Sequence, residues 1–157
     1  MPRTTPVRDV MTTDVLSFTP DQRVDDAMQA LVDRGVDAGP VVDDTGAVVG
    51  MLSTSDLIVR ETRVHFPTVV NFLGVNVELP SSDRDFDDEI SKALGASVGE
   101  VMQAKHLTTI GPDATLEDAA TLLHHKDVSR LPVVDDDGSL VGIVARGDIV
   151  RALLSEQ

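Results

Sequence analysis

Three hydroxyl side chains and a carboxylate stand together at Ser53-Thr54-Ser55-Asp56, between an apolar run and a helical pattern. A strand that feeds a helix here would set unpaired backbone N–H groups and the positive end of a helix dipole beside the hydroxyls, which suits an anion. Asp56 would repel a phosphate, but a carboxylate can accept two hydrogen bonds from a ribose diol. The same residues suit ordinary helix capping, so a nucleotide site and a structural cap are both open at this point.

This stretch belongs to a repeat, because its pattern returns 92 residues later. Residues 48–59 align with 140–151, and Asp56 falls on Asp148. The match runs without an insertion over about 45 residues, and a self-match of that length indicates a duplicated structural unit. The elements that position Asp56 are therefore expected twice in the chain.

Each copy is expected to form a short strand, a helix, a β-hairpin and a second helix. Over 24–34 the apolar side chains follow the i, i+3, i+4, i+7 spacing of an amphipathic helix, which Gly35 would end. Asp43-Asp44-Thr45-Gly46 predicts a hairpin turn in which Gly46 adopts a positive φ. In the first copy, a lead-in over 7–11 is followed by a short strand (15–18), a helix (24–34), the two strands of the hairpin (37–42 and 47–52) and a second helix (57–63). In the second copy, a lead-in over 98–102 is followed by a short strand (107–110), a helix (116–126), the hairpin (129–144) and a second helix (148–154).

Composition and charge exclude several classes of protein. The 157 residues fit one compact unit. With 27 acidic and 13 basic side chains the net charge is −14, which argues against binding to nucleic acid. Without cysteine the chain has neither disulfides nor thiolate chemistry. No apolar run reaches the roughly 20 residues that span a bilayer, and no signal-peptide pattern is present. We therefore expect a soluble, cytoplasmic protein with no membrane contact.

Residues 64–97 separate the two copies and do not repeat. The part from 65 to 79 is rich in apolar side chains, Pro80 follows it, and 86–94 has the pattern of a linking helix. A structureless loop of this length is unusual in a compact domain, so we expect the segment to be mostly ordered and packed on the rest of the chain. Its apolar part would suit either a cover for the protein's own core or a contact with a second subunit.

The order of motifs in each copy resembles the cystathionine β-synthase (CBS) domain. These motifs are Asp-Val-Met, Pro-Asp, an amphipathic helix, Pro-Val-Val-Asp, an acidic turn with Gly, and a Gly followed by Ser/Thr-x-x-Asp. Two copies in tandem resemble a Bateman module, as in stand-alone CBS-domain proteins. The resemblance implies an α/β (α+β) fold of two pseudo-symmetric repeats, each strand-helix-strand-strand-helix, packed through their sheets with two clefts between them. The repeats would span 7–63 and 98–154, with 64–97 as a partly helical insertion.

In this family the clefts bind adenosine-containing ligands, and the resemblance gives roles to particular residues. It carries the hydroxyl position onto Ser53 and the ribose-binding acid onto Asp56, and some members have a phosphate-facing arginine at the place of Arg130. Arg130 and Arg146 would also suit surface salt bridges in an acidic protein. The nucleotide-binding residues that the resemblance predicts are Ser17, Ala38, Pro40, Ser53, Ser55, Asp56, Thr109, Ser129, Arg130, Pro132, Arg146 and Asp148.

The two copies depart from each other at these positions. Ala38 stands where the second copy has Arg130, and Ala145 stands where the first copy has Ser53. A guanidinium clasps a phosphate through charged paired bonds, whereas a hydroxyl offers a weaker neutral one. We therefore predict two unequal sites.

The function implied is a regulatory module that binds AMP, ADP, ATP or a related adenosyl compound and signals by a change in shape or assembly. It requires no cofactor, although Mg²⁺ could accompany ATP. The alternative is a ligand-free dimerisation scaffold. We expect no enzyme, because nucleophile, paired-carboxylate and Gly-rich phosphate-loop motifs are missing. We expect no metal site, since His124 and His125 point about 100° apart on a helix. A homodimer and a separate target protein are the expected partners.

Overall fold

The computed structural model describes residues 2–56, 69–72, 75–78 and 95–155. The predicted helices over 57–63 and 86–94 lie outside these residues. Within them, helix α1 and the hairpin of β1 and β2 form the first repeat, and α3, β5, β6 and α4 form the second. The antiparallel pair β3 and β4 lies between the repeats, and the short helix α2 belongs to the lead-in of the second repeat. The bounds are α1 Val24–Arg34, β1 Ala38–Val42, β2 Val48–Ser53, β3 Val69–Phe72, β4 Val75–Glu78, α2 Val98–Val101, α3 Leu116–His125, β5 Arg130–Val134, β6 Leu140–Ala145 and α4 Arg146–Leu154.

Helix α1 has the bounds that its apolar spacing predicts. It carries acidic residues in its first turn and Arg34 in its last, which complements the helix dipole. Gly35 ends it in the left-handed region at φ 65°, where a residue without a Cβ is favoured. The apolar face is buried through Val24, Ala27, Met28 and Leu31. The periodicity of the sequence therefore fixes which face of α1 packs on the sheet.

The hairpin turns form as the turn residues predict. Gly46 and its counterpart Gly138 have φ values of 83° and 81°. At the first turn the carboxylate of Asp43 accepts hydrogen bonds from the hydroxyl and the N–H of Thr45. These bonds lower the pKa of Asp43, because they stabilise the charged form. The acidic residues of this turn thus serve the backbone geometry.

The predicted strands over 15–18 and 107–110 are reduced to one parallel bridge each. Phe18 bridges Val41 of β1, and Ile110 bridges Val133 of β5. The prediction is right about the position of these segments beside each hairpin. It overestimates their length, because the next ladder bonds toward Leu16 and Thr108 would need N–H groups at Pro40 and Pro132, and proline cannot donate.

The two lead-in segments cross over to the opposite repeat. Val7 of the first lead-in is buried in the core of the second repeat, and Val98 of the second lead-in is buried in the core of the first. Thr12 pairs with Ile143 on β6, and its counterpart Gln103 pairs with Met51 on β2. Each core is therefore completed by residues from the other half of the chain, and the two repeats form one unit.

The repeats also meet through their sheets, as the fold prediction states. Ala47 and Ser139 form an antiparallel bridge, and the N–H of Leu140 donates to the carbonyl oxygen of Gly46 at 3.0 Å. In the part of the chain that the structure describes, helices long and apolar enough to cross a membrane do not occur.

Candidate functional site

Two clefts lie at equivalent positions between the repeats. The larger, here called the Asp56 cleft, has a volume of about 500 Å³, and the smaller, the Asp148 cleft, has about 230 Å³. The Asp56 cleft is lined by Ala38, Met51, Ser53, Ser55, Asp56, Gln103, Lys105, His106, Leu107, Thr108, Lys126, Asp127, Val128, Ser129, Arg130 and Pro132. The Asp148 cleft is lined by Thr12, Asp14, Val15, Leu16, Arg34, Val36, Ala38, Arg130, Ile143, Ala145 and Asp148.

Asp56 caps the helix that follows β2 and also faces the larger cleft. The helix begins at Thr54, three residues before the predicted start, because Ser53 is its N-cap residue. The N–H of Ser53 donates to Oδ2 of Asp56 at 3.0 Å, and the hydroxyls of Ser53 and Ser55 are 2.6 Å apart. The structural cap is thus present. Among the described residues, no hydrogen-bond partner occupies Oδ1, so capping leaves one carboxylate oxygen for a ligand.

Asp148 occupies the equivalent position in the second repeat, but its carboxylate oxygens have more hydrogen-bond partners among the described residues than those of Asp56. It is 8% exposed, and its Oδ2 accepts the N–H of Ala145 at 2.7 Å. Its Oδ1 accepts a hydrogen bond from Arg151. The residue that matches Arg151 in the first repeat is Val59, whose side chain has no hydrogen-bond donor. Both carboxylate oxygens of Asp148 are therefore engaged within the protein. Helix α4, which contains Asp148, begins at Arg146, two residues before its predicted start at 148.

Arg130 stands between the two clefts and lines both. Its side chain is 18% exposed. Nη1 donates to the carbonyl oxygen of Ala38 at 3.3 Å, Nη2 forms an ion pair with Asp37, and Nε lies 3.5 Å from the hydroxyl of Ser129. The guanidinium is thus held at the junction of the repeats by contacts on both sides.

The charges of the two clefts differ. The Asp56 cleft has three cationic side chains, Lys105, Lys126 and Arg130, against the carboxylates Asp56 and Asp127. In the Asp148 cleft the carboxylates balance the cations, and Arg34 forms a 3.3 Å ion pair with Asp14. The lining of the Asp56 cleft therefore has one more cation than carboxylates, in a chain with a net charge of −14.

Sequence reasoning missed several residues of the Asp56 cleft. His106 and Asp127 lie on its wall with φ values of 58° and 50°, a backbone region that non-glycine residues adopt at a cost. Their neighbours Lys105 and Lys126 also line the cleft. These residues come from loops and a helix end with no repeated motif, so the repeat itself gave no signal for them.

Four of the predicted site residues do not line either of these two clefts. Ser17 is half-buried, Thr109 is exposed, and their places on the walls are taken by the preceding residues Leu16 and Thr108. Successive side chains of an extended segment point to opposite sides, which explains this one-residue difference. Pro40 is fully buried in the sheet. Arg146 is exposed and lies 3.7 Å from Asp127, as a surface ion pair.

The other eight predicted residues are brought to the clefts. Ala38, Ser53, Ser55, Asp56, Ser129, Arg130 and Pro132 line the Asp56 cleft, and Asp148 lines the other. Across the described part of the chain, clusters of three or more His, Asp or Glu side chains suited to a metal ion do not occur.

Comparison with known proteins gives consistent relatives. The family model of the CBS domain matches residues 7–70 and 98–155. CBSX2, a chloroplastic CBS domain-containing protein of Arabidopsis thaliana, is 38% identical over 138 residues, which are 86% of this chain and 57% of the plant protein. YhcV, a CBS domain-containing protein of Bacillus subtilis, is 32% identical over 151 residues, which are 96% of this chain and 87% of the bacterial protein. The chain thus spans little more than half the length of the plant relative.

A solved CBS-pair structure has a similar fold. The crystal structure of CBSX2 in complex with AMP matches with a TM-score of 0.72 and 34% identity, covering 96% of this chain and 97% of that one. Because CBSX2 is chloroplastic, a cytoplasmic location stays a prediction for this protein. The family model covers both repeats, and their fold is that of a solved CBS pair; the chain belongs to the CBS domain family as a tandem pair of repeats.

Proposed function

We propose that this protein is a regulatory module that binds an adenosine nucleotide in the Asp56 cleft. The observation that carries the proposal is the pairing of opposite charges on one cavity. The carboxylate of Asp56, with Oδ1 unengaged among the described residues, and the guanidinium of Arg130 line the same cleft. A nucleotide needs both groups, because its ribose diol donates hydrogen bonds and its phosphate accepts them.

The size of the two clefts favours one site over the other. Small-molecule sites have volumes of roughly 300–1,000 Å³. The Asp56 cleft, at about 500 Å³, lies within this range, and the Asp148 cleft, at about 230 Å³, lies below it. Asp148 also has both carboxylate oxygens engaged. The Asp56 cleft is therefore the proposed nucleotide site.

The positive rim of the Asp56 cleft supports an anionic ligand. Lys105 and Lys126 are exposed and line its wall together with Arg130. Lysines at a rim act as point charges that attract phosphate without fixing its geometry. They would serve the outer phosphates of ADP or ATP, with Mg²⁺ when ATP is bound. The relative CBSX2, 34% identical over almost the whole chain, has been crystallised with AMP, which supports the same class of ligand here.

Thermal unfolding with a panel of AMP, ADP, ATP, NAD and S-adenosylmethionine tests this function. A ligand that binds only the folded state at 100 times its Kd stabilises it by about 2.7 kcal/mol, so the melting temperature rises by several degrees. Asp56→Ala should abolish most of the rise, and Asp44→Asn, an exposed change of the same charge on the β1–β2 turn, should leave it intact. If every compound leaves the melting temperature unchanged, the alternative of a ligand-free scaffold is favoured.

The output of the module is proposed to be a change in shape or assembly, acting on a separate target protein. We propose a homodimer as the assembly, since helix α4 exposes apolar side chains. Val150, Leu153 and Leu154 are 53%, 45% and 62% exposed. An apolar patch of this kind usually marks an interface. Light scattering should give the mass of a dimer at micromolar concentration, and Leu154→Asp should shift it toward the monomer; a monomer for the unaltered protein would contradict this assembly.

A further inference from the structure

Asp37 holds the guanidinium that a nucleotide phosphate would need. Arg130 has five N–H donors, and Asp37, Ala38 and Ser129 engage one each. The side chain of Asp37 is 74% exposed, whereas that of Arg130 is 18% exposed. The carboxylate thus approaches from solvent onto a cation that is largely enclosed, and its negative charge is paired with that cation.

The main chain of Asp37 is fixed independently of this ion pair. Its carbonyl oxygen accepts the N–H of Thr54 at 2.9 Å, at the start of the helix that carries Asp56. In the second repeat the carbonyl oxygen of Ser129 accepts the N–H of Arg146 in the same way at 3.2 Å. Ser129 is the residue that matches Asp37 in the repeat. The backbone geometry of this position therefore does not require a carboxylate, and the charge of Asp37 is a separate feature.

We propose that Asp37 is a specificity-determining residue that competes with the phosphate of the ligand for Arg130. Resting on the proposed nucleotide site, this inference concerns how strongly that site discriminates between charged and uncharged adenosine compounds. Asp37 already forms an ion pair with Arg130. A phosphate can therefore interact with the full charge of the guanidinium only after it displaces the carboxylate of Asp37. The phosphate therefore adds less to the affinity of the cleft than it would if the guanidinium were unpaired.

The strength of this competition follows from exposure. Ion pairs with a solvated partner contribute at most about 1 kcal/mol, which corresponds to roughly fivefold in affinity. Removal of the carboxylate should therefore strengthen the binding of AMP by about two- to fivefold. Adenosine has no phosphate to contact Arg130, so its affinity should stay the same. Asp37 thus sets the ratio of the two affinities and leaves the adenosine contacts untouched.

Calorimetric titration of adenosine and AMP into full-length variants tests the inference. Asp37→Ser introduces the residue of the second repeat and keeps the carbonyl bond to Thr54, and Asp37→Asn is a second, isosteric variant. Both should raise the affinity ratio of AMP to adenosine by the stated factor. Asp44→Asn removes the same charge at an exposed turn and should leave the ratio unchanged, which separates local competition from the net charge of the protein.

The Arg130→Gln variant tests whether the effect of Asp37 on AMP binding acts through the guanidinium of Arg130. In the Arg130→Gln background, Asp37→Ser should no longer strengthen AMP binding, because no guanidinium is left to release. An unchanged or lower AMP affinity in Asp37→Ser, with AMP still binding the unaltered protein, overturns the inference while the proposed function stands. If adenosine and AMP bind none of the variants, the proposed function and this inference fail together.

Discussion

Arg130 donates a hydrogen bond to the carbonyl oxygen of Ala38 at 3.3 Å, and these two residues occupy the same position in the two repeats. A residue and its own counterpart meet only where the symmetry of a repeat places them across the shared axis. Arg130 consequently reaches the walls of both clefts, while Ala38 offers no side-chain donor to either. The same guanidinium therefore lines both clefts, and the two clefts are not equivalent because the first repeat has no matching arginine.

The shared arginine predicts that one AMP binds tightly per chain. A phosphate in the Asp56 cleft would draw the guanidinium to that side and leave the Asp148 cleft without a free cation, since Arg34 is paired with Asp14. Isothermal titration should give a stoichiometry close to one, and Arg130→Ala should weaken this site by about 10- to 150-fold, as expected for a lost charged hydrogen bond. Two identical independent sites, both unaltered by Arg130→Ala, would contradict the prediction.

The two helix-capping carboxylates should differ in what their removal costs. Asp56→Ala should weaken nucleotide binding by about 10- to 150-fold, because Oδ1 of Asp56 is the proposed acceptor for the ribose. Asp148→Ala should leave that affinity within about twofold and destabilise the fold by about 1–3 kcal/mol, since it leaves the N–H of Ala145 without its acceptor. Calorimetry and urea unfolding of each variant separate the two effects. Equal losses of affinity would show that the clefts are equivalent.

Much of this architecture could be predicted because local rules repeat in the sequence. The 92-residue offset, the apolar spacing of α1 and the turn at Gly46 each constrain a local structure. The crossing of the lead-ins could not be predicted, since Val7 is a buried apolar residue in either arrangement and only the tertiary fold decides which core receives it. The pair β3 and β4 lies in the apolar stretch after 65, where helix and strand patterns are not distinguished by composition.

The candidate site likewise combines residues that the sequence predicts with residues that only the tertiary fold brings together. Asp56 and Arg130 follow from the repeat and the family resemblance, and the structure places both on one cleft. Lys105 and Lys126 lie on loops or helix ends, and their proximity depends on how the two repeats dock. Leu16 and Thr108 line the clefts where the resemblance predicts Ser17 and Thr109, because a short extended segment gives too few alternating positions to fix which side chains point inward.

Close packing of Met11 against Gly142 predicts a further sensitive position. A Cβ on Gly142 would lie 2.5 Å from the sulfur of Met11 and 3.0 Å from the carbonyl oxygen of Thr12. Since the backbone oxygen cannot move aside as a side chain can, Gly142→Ala should destabilise the protein by about 1–3 kcal/mol. Gly111→Ala is the matched control, because an added Cβ there would meet none of the described residues within 4 Å, and it should change stability by less than about 0.5 kcal/mol. Equal denaturation midpoints for the two variants would argue against this packing.

The crossed lead-ins predict that a change in one repeat unfolds both. Val7 is fully buried in the core of the second repeat, although it belongs to the lead-in of the first repeat. Val7→Ala deletes two buried methyl groups and should cost about 2 kcal/mol. Val32→Ala, at a residue that is 67% exposed on α1, is the control of the same type and should cost less than about 0.5 kcal/mol.

Urea unfolding followed by circular dichroism measures both variants, and the shape of the transition is as informative as its midpoint. Because Val98 crosses in the opposite direction into the first core, neither repeat has a complete core without the other. The loss at Val7 should therefore lower the midpoint of a single cooperative transition with an unchanged m-value. If Val7→Ala instead produces two transitions, with one at the original midpoint, the first repeat would be folding on its own and the crossing would not couple the two cores.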